Sequence, residues 1–66
     1  MKNRRSFIVI DKKCSERGWH LNRVATRGGL VYWIDWKDND NNWHFKEFEC
    51  YTLFFKFMVN LFKVVA

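Results

Sequence analysis

Residues 30–45 read LVYWIDWKDNDNNWHF and contain three of the chain's four tryptophans. Two runs of aromatic and β-branched residues, LVYWIDW and WHF, flank the wholly polar segment KDNDNN. Aspartate and asparagine hydrogen-bond to their own backbone and tolerate left-handed geometry, which makes them frequent in turns. The stretch predicts a hairpin in which Trp36 and Trp43 lie opposite each other and Ile34 lies near Phe45.

Two further strands are predicted on the N-terminal side of this hairpin. WHLNRVAT, Trp19 to Thr26, precedes the paired glycines Gly28 and Gly29, which supply the positive φ angles of a tight turn. With those glycines in the turn, Arg27 lies opposite Leu30. Closer to the N-terminus, SFIVID, Ser6 to Asp11, is a short β-rich run and predicts a first strand.

Residues 51–65 leave helix and strand open, because apolar residues occupy alternate positions while the polar ones follow helical spacing. Lys56, Asn60 and Lys63 form one narrow polar stripe on a helix, and Thr52 could cap its start. The run is long for a strand, so we favour the helix. The predicted fold is α+β, a small antiparallel meander of three or four strands with one C-terminal amphipathic helix packed on one face.

A chain of 66 residues is expected to form a single domain, residues 1–66, with a basic and potentially flexible N-terminal arm at residues 1–5. Hydrophobic residues at 48% and aromatics at 20% exclude intrinsic disorder. Two cysteines are too few for a disulfide framework, and the apolar run FIVI is too short for a secretory signal. We therefore expect a cytoplasmic protein with free thiols. The C-terminal apolar runs are too short and too often interrupted to predict a transmembrane segment.

The charge is uneven along the chain, whose net charge is +5. Residues 1–30 contain eight basic and two acidic side chains, and residues 31–66 contain four basic and five acidic ones. A basic half suggests an anionic partner such as nucleic acid, a membrane surface or an acidic protein. A surface rich in lysine and arginine that serves only solubility is the alternative.

The predicted register divides the sheet into two faces. The face expected to take the helix carries Leu21, Ala25, Tyr32, Ile34, Trp36, Trp43 and Phe45. The opposite face carries His20, Asn22, Val24, Val31, Trp33, His44 and Lys46. Trp33 on a polar, basic face is typical of a platform on which bases stack, or of a protein-binding patch. The alternative is that the N-terminal arm or the first strand's loop covers Trp33.

The predicted C-terminal helix is apolar over most of its circumference, more than a helix on the surface of a two-layer domain requires. We expect a homodimer built on it, since homodimers are the commonest soluble oligomers. Insertion into a membrane surface, with Lys56 and Lys63 flanking the apolar face, is an alternative. The residues expected in the dimer interface are Phe54, Phe57, Met58, Leu61, Phe62 and Val65.

Two groups of residues have part of the chemistry of a metal site, but no metal or cofactor is expected. Asp38, Asp40, Asn42 and Glu49 match part of a calcium loop, but Trp43 stands where that loop needs glycine. Cys14, His20, His44 and Cys50 suit zinc chemically, although their spacing is unlike that of known zinc modules. Whether these four bind a metal stays open.

No catalytic arrangement is visible, so we expect a non-enzyme. Cys50 and His44 form a conceivable nucleophile and base, but no orienting third group accompanies them. The first functional hypothesis is nucleic-acid binding through a basic sheet face and the N-terminal arm. The alternative is a small inhibitor or adaptor, of the type carried by phages or mobile elements, that binds a host protein. The residues expected to bind are Arg4, Arg5, Lys12, Lys13, Arg17, Arg27, Trp33, His44 and Lys46.

Overall fold

A computed structural model describes residues 2–65 of the chain, and the side chains of residues 5–65. The elements follow in the order α1 (Lys2–Glu16), β1 (His20–Thr26), β2 (Gly29–Lys37), β3 (Trp43–Phe48) and α2 (Tyr51–Val64). The three strands form one antiparallel meander in which β2 is central. The predicted α+β class, with a small meander sheet and a C-terminal helix, is confirmed.

The run Ser6–Asp11 lies in helix α1, so the strand predicted there is wrong. Phe7, Ile10 and Cys14 recur at three- and four-residue spacing and therefore share one face of a helix. Ile10 and Cys14 are buried, and Phe7 packs against the same core. Burial of this stripe outweighs the local β preference of the segment FIVI. The predicted arm falls at the start of α1, where Met1 and the side chains of residues 2–4 lie outside the described part.

Helices α1 and α2 lie side by side on one face of the sheet. Near their N-terminal ends, Ser6 Oγ and Tyr51 Oη share a hydrogen bond of 2.6 Å. Near their C-terminal ends, the Lys13 ammonium lies 5.7 Å from the centre of the Phe62 ring. Because contacts occur in the same order along both helices, the two run parallel to each other. The core residues between helices and sheet are Ile10, Cys14, Trp19, Tyr32, Ile34, Phe48, Phe54, Met58 and Leu61.

The first hairpin turns one residue earlier than its two glycines predicted. Thr26 pairs with Gly29, which leaves Arg27 and Gly28 as the turn, and only Gly29 of this glycine pair has a positive φ, 122°. The predicted register is therefore wrong by two residues, so that Ala25 lies opposite Leu30. Because side chains alternate with a period of two, a shift of two leaves every residue on its predicted face.

The second hairpin differs from the prediction by one residue. Lys37 pairs with Trp43, and Trp36 with His44, where the prediction paired Trp36 with Trp43. The loop closes through a hydrogen bond of 2.9 Å from Asp38 N to Asn42 O, which leaves three residues between that pair. Asn41 has a φ of 65°, as expected when a turn is followed by one left-handed residue. An odd number of loop residues reverses the parity of every position on β3.

This one-residue difference turns all side chains of β3 to the opposite face. Trp43 and Phe45, predicted in the core, are exposed, while Phe48 is buried against Phe54 and Phe57. His44, by contrast, lies on the helix side, where its ring stacks on Trp36 with centroids 5.2 Å apart. At the C-terminal end of β3, the side chain of Phe48 therefore faces the helices.

Helix α2 spans Tyr51–Val64, which settles the ambiguity of residues 51–65 in favour of the predicted helix. Its N-cap is Cys50, in extended geometry, and Thr52 lies inside the first turn where a cap was predicted. Because α1 packs beside α2, the helix buries more of its circumference than contact with the sheet alone would cover. Among the described residues, neither helix has the length and apolar character needed to cross a bilayer.

Candidate functional site

The outer sheet face is the side of the sheet that points away from both helices. It carries three large aromatic side chains, Trp33 on the central strand and Trp43 and Phe45 on β3. They are 37%, 52% and 63% exposed, respectively. Within residues 2–65, no helix or strand packs over them. The other members of the outer sheet face are His20, Asn22, Val24, Val31, Asp35, Lys37 and Glu47.

Polar neighbours hold two of these aromatic rings in place. The Trp33 indole donates a hydrogen bond from Nε1 to Glu47 Oε2, directly across the β2–β3 pair, at 2.5 Å. The Trp43 ring stacks on the His20 ring with centroids 5.8 Å apart, and the Lys37 ammonium lies 5.2 Å from its centre. These contacts order the two indoles before any partner arrives, which reduces the entropy lost on binding.

A shallow pocket of about 300 Å³ opens at one end of the outer sheet face. Trp43 and Phe45 provide its apolar wall, and Asp35 provides a carboxylate. An aromatic wall beside a carboxylate is suited to a cationic group, because the ring face and the carboxylate both attract positive charge. The pocket is lined by His20, Asp35, Trp43, His44 and Phe45.

The residues predicted to bind nucleic acid do not gather around Trp33. His44 and Lys46 lie on the helix side of β3, where the Lys46 ammonium is 6.0 Å from the centre of the Phe57 ring. Their predicted placement beside Trp33 is therefore wrong, because the loop before β3 has an odd number of residues and turns the side chains of β3 to the opposite face. The Arg17 guanidinium lies 4.9 Å from the centre of the Phe62 ring, on α2.

The remaining predicted basic residues are also dispersed. Arg5, Lys12 and Lys13 are exposed on α1, Arg27 lies at the tip of the first hairpin, and the side chain of Arg4 lies outside the described residues. The outer sheet face itself carries one basic residue, Lys37, and two acidic residues, Asp35 and Glu47. Its net charge is therefore slightly negative when histidine is neutral. Among the described side chains, residues 5–65, no basic platform therefore forms around Trp33.

No protein-family model, curated protein or solved structure matches this chain.

The four residues considered for zinc are engaged elsewhere or separated. His44 donates from Nε2 to Asp38 Oδ2 at 2.7 Å, and His20 stacks on Trp43. Burial raises the pKa of Cys14 to about 12, which disfavours the thiolate that a metal needs. Cys50 is exposed. Within the described part of the chain, no three His, Cys, Asp or Glu side chains are grouped as a metal site would require.

The considered calcium loop has a structural role in the hairpin. Asp38 Oδ1 accepts hydrogen bonds from the backbone nitrogens of Asp40 at 2.8 Å and Asn42 at 2.9 Å. Together with the hydrogen bond from His44, these interactions lower the pKa of Asp38, the bond from His44 having the largest effect. The carboxylate thus orders the turn that determines the position of β3.

Three of the six residues predicted for a dimer interface belong to the core of the single chain. Phe54 and Met58 are fully buried and Leu61 nearly so, while Phe57, Phe62 and Val65 pack partly against the same core. The first three are therefore inaccessible to a second copy in this conformation. Exposed apolar side chains of α2 are instead Leu53, Phe55, Val59 and Val64.

Trp43, Phe45, Asp35 and Glu47 are the candidate binding residues that the sequence prediction missed. The missed signal lies in KDNDNN, since asparagine at position 41 tolerates left-handed geometry and permits a three-residue loop. With that loop length, the same sequence would have placed Trp43 and Phe45 beside Trp33.

Proposed function

We propose that this protein is a small non-enzymatic binding module, an inhibitor or adaptor that binds another protein through the outer sheet face. The observation that supports this proposal is the group of three exposed aromatic side chains, Trp33, Trp43 and Phe45, on a face slightly acidic in character. Tryptophan is among the residues that most often dominate protein–protein binding energy.

The size of the face fits a peptide segment or the centre of a larger interface. Strands about 4.8 Å apart with a rise of about 3.3 Å per residue give a three-stranded sheet of this length a footprint of roughly 300–400 Å². A standard interface buries about 800 Å² on each partner. The outer sheet face would therefore supply the buried centre, with the surrounding loops as its rim.

The charges of the face favour a partner with a basic side chain over nucleic acid. Asp35 and Glu47 lie next to the aromatic rings. If the bases of a nucleic acid stacked on these rings, the two carboxylates would repel its phosphates. An arginine or lysine of a protein partner could instead lie against Phe45, with its charge near Asp35. We infer a partner segment in which a basic residue is flanked by apolar ones.

The base candidate His44 is hydrogen-bonded to Asp38 rather than to the nucleophile candidate Cys50, which agrees with a binding role without catalysis. A cytoplasmic location stays a prediction. Homodimerisation also stays a prediction, and through α2 it would have to use Leu53, Phe55, Val59 or Val64.

The test is selection of displayed random peptides against the protein, followed by binding measurements with three forms of it. We expect selected peptides to contain arginine or lysine beside apolar residues. Their affinity should fall at least tenfold for the double variant Trp43→Ser/Phe45→Ser, as loss of interface hot spots predicts. The matched control Phe55→Ser, an exposed aromatic on α2, should bind as tightly as the wild type.

Two outcomes would contradict the proposal. Selected peptides that bind the double variant as well as the wild type would place binding elsewhere on the molecule. Quenching of tryptophan fluorescence by single-stranded DNA or RNA, abolished by Trp43→Ser/Phe45→Ser and steeply weakened by salt, would assign the face to nucleic acid instead.

A further inference from the structure

The whole net positive charge belongs to the layer of helices. Helix α1 contains five basic and two acidic residues, and α2 contains two lysines and no acidic residue. The remainder of the chain contains five basic and five acidic residues, so the two helices account for the whole net charge of +5. The molecule is therefore polarised between a basic helix layer and a sheet layer with no net charge.

Four of the described cations of the helix layer point away from the core. In α2, Lys56 and Lys63 are seven residues apart and lie opposite the buried stripe of Phe54, Met58 and Leu61. In α1, Arg5 and Lys12 repeat the same seven-residue spacing opposite Ile10 and Cys14. Since both helices rest on the same face of the sheet, these four exposed cations share one side of the molecule.

Apolar side chains stand among these cations. Ile8 and Val9 of α1 are 59% and 49% exposed, and Phe55 and Val59 of α2 are 38% and 37% exposed. Helical spacing places them on the flanks of the two cationic rows. We define the helix-layer surface as Arg5, Ile8, Val9, Lys12, Phe55, Lys56, Val59 and Lys63.

We propose that the helix-layer surface binds the surface of an anionic lipid bilayer, with the protein as a peripheral component. Charge complementarity supplies the attraction, because cations near an anionic leaflet each contribute to binding. The exposed aliphatic side chains favour lipid over nucleic acid, since they gain by insertion at the boundary between headgroups and acyl chains. A phosphate backbone in water offers no comparable apolar environment.

Binding in this orientation leaves the outer sheet face directed away from the bilayer. Trp33, Trp43 and Phe45 lie on the opposite side of the sheet from both helices and would stay accessible to a protein. The two surfaces are therefore separable by mutation. The lipid proposal does not depend on the proposed function.

The test is sedimentation of the protein with vesicles of phosphatidylcholine alone or with about one third phosphatidylglycerol, at low and physiological salt. We expect at least tenfold stronger partitioning into the anionic vesicles, weakened by salt. Lys56→Gln/Lys63→Gln should reduce partitioning about 25-fold, or about fivefold for each cation removed. Ile8→Ser/Val59→Ser should reduce it several-fold, and the outer-face control Phe45→Ser should leave it unchanged. Thermal melts establish that each variant is folded.

A parallel titration with a short DNA duplex distinguishes the two anionic partners. If lipid is the partner, Ile8→Ser/Val59→Ser weakens vesicle binding and leaves any DNA binding unchanged. Equal partitioning into neutral and anionic vesicles, or no partitioning into either, would overturn the proposal. The proposal would also be overturned if Ile8→Ser/Val59→Ser did not weaken vesicle binding and DNA bound as tightly as the vesicles. The surface would then be a site for polyanions in general.

Discussion

The carboxylate of Asp38 links the loop to strand β3, because its Oδ2 accepts a hydrogen bond of 2.7 Å from His44 Nε2. Its other oxygen, Oδ1, accepts the backbone N–H groups of Asp40 and Asn42. One side chain thus stabilises both the left-handed turn and the first residues of the strand beyond it. This arrangement supports the three-residue loop, and with it the exposure of Trp43 and Phe45.

Replacement of Asp38 should separate these two roles. Asp38→Asn keeps an oxygen for the backbone N–H groups and loses the charge opposite His44, whereas Asp38→Ala loses both. We expect the order of thermal stability to be wild type, then Asp38→Asn, then Asp38→Ala, measured by circular dichroism. An Asp38→Ala variant as stable as the wild type would show that the carboxylate does not stabilise the loop.

The same carboxylate predicts a pH dependence. The hydrogen bond from His44 and those from Asn42 and Asp40 lower the pKa of Asp38 below its unfolded value of 3.8. A lowered folded pKa contributes stability that is complete above the unfolded pKa and is lost as pH falls through the folded one. The difference in melting temperature between the wild type and Asp38→Asn should therefore shrink below about pH 4, the ordinary range for aspartate. A difference that is constant down to pH 2 would contradict this assignment.

The existence and type of four elements, β1, β2, β3 and α2, could be predicted from sequence, because strong local chemistry specifies them. Gly28 and Gly29 mark the first turn, and Lys56, Asn60 and Lys63 reveal the period of α2. Helix α1 could not be recognised in this way, since FIVI has β-branched residues whose local preference opposes the helix. Its helical state depends on burial of Ile10 and Cys14 against residues distant in sequence.

The candidate site was mispredicted because of a single loop residue. The composition of KDNDNN predicts a turn, but it does not determine whether the loop has an even or an odd number of residues. The two lengths place the side chains of β3 on opposite faces of the sheet. The left-handed geometry of Asn41 and the hydrogen bonds of Asp38 favour the odd loop. A correct strand with the wrong parity exchanges Phe45 and Phe48 between core and surface.

A pair of matched substitutions on β3 checks this register directly. Phe48→Ala should lower the free energy of unfolding by about 3–5 kcal/mol, because a buried aromatic ring is removed from the core. Phe45→Ala, three residues away and 63% exposed, should change it by less than about 0.5 kcal/mol. Urea denaturation provides both values. The reverse ranking would restore the predicted register with Phe45 in the core.

Neighbouring phenylalanines on α2 test whether the helix packs within one chain. Phe54 is fully buried and its ring contacts the rings of Phe7, Tyr32 and Phe48. Phe54→Ala should cost about 3–5 kcal/mol, much of the roughly 3–10 kcal/mol available to a domain of this size. Phe55→Ala, at an exposed position, should cost less than about 1 kcal/mol. Phe54→Leu, which removes less volume, should rank between them and keep the comparison measurable.

Concentration dependence separates this core role from dimerisation. If Phe54 stabilises the single chain, the loss in Phe54→Leu is the same at every protein concentration. If it acts mainly through a second copy, the denaturation midpoint of the wild type rises with concentration, and that dependence disappears in Phe54→Leu. Sedimentation equilibrium of the wild type provides an independent measure of association.

The two cysteines should react with a thiol reagent at very different rates. Cys50 is exposed, and the backbone N–H groups of Leu53 and Thr52 lower its pKa, so its thiolate is populated below the usual pH. Cys14 is buried, and burial raises its pKa to about 12. In native protein, a disulfide reagent such as dithiobis-nitrobenzoate should therefore modify one thiol quickly and the second only on unfolding. Cys50→Ser should abolish the fast phase, while Cys14→Ser should leave it unchanged. A fast phase that persists in Cys50→Ser would mean that Cys14 is accessible, and would contradict its place in the core between helices and sheet.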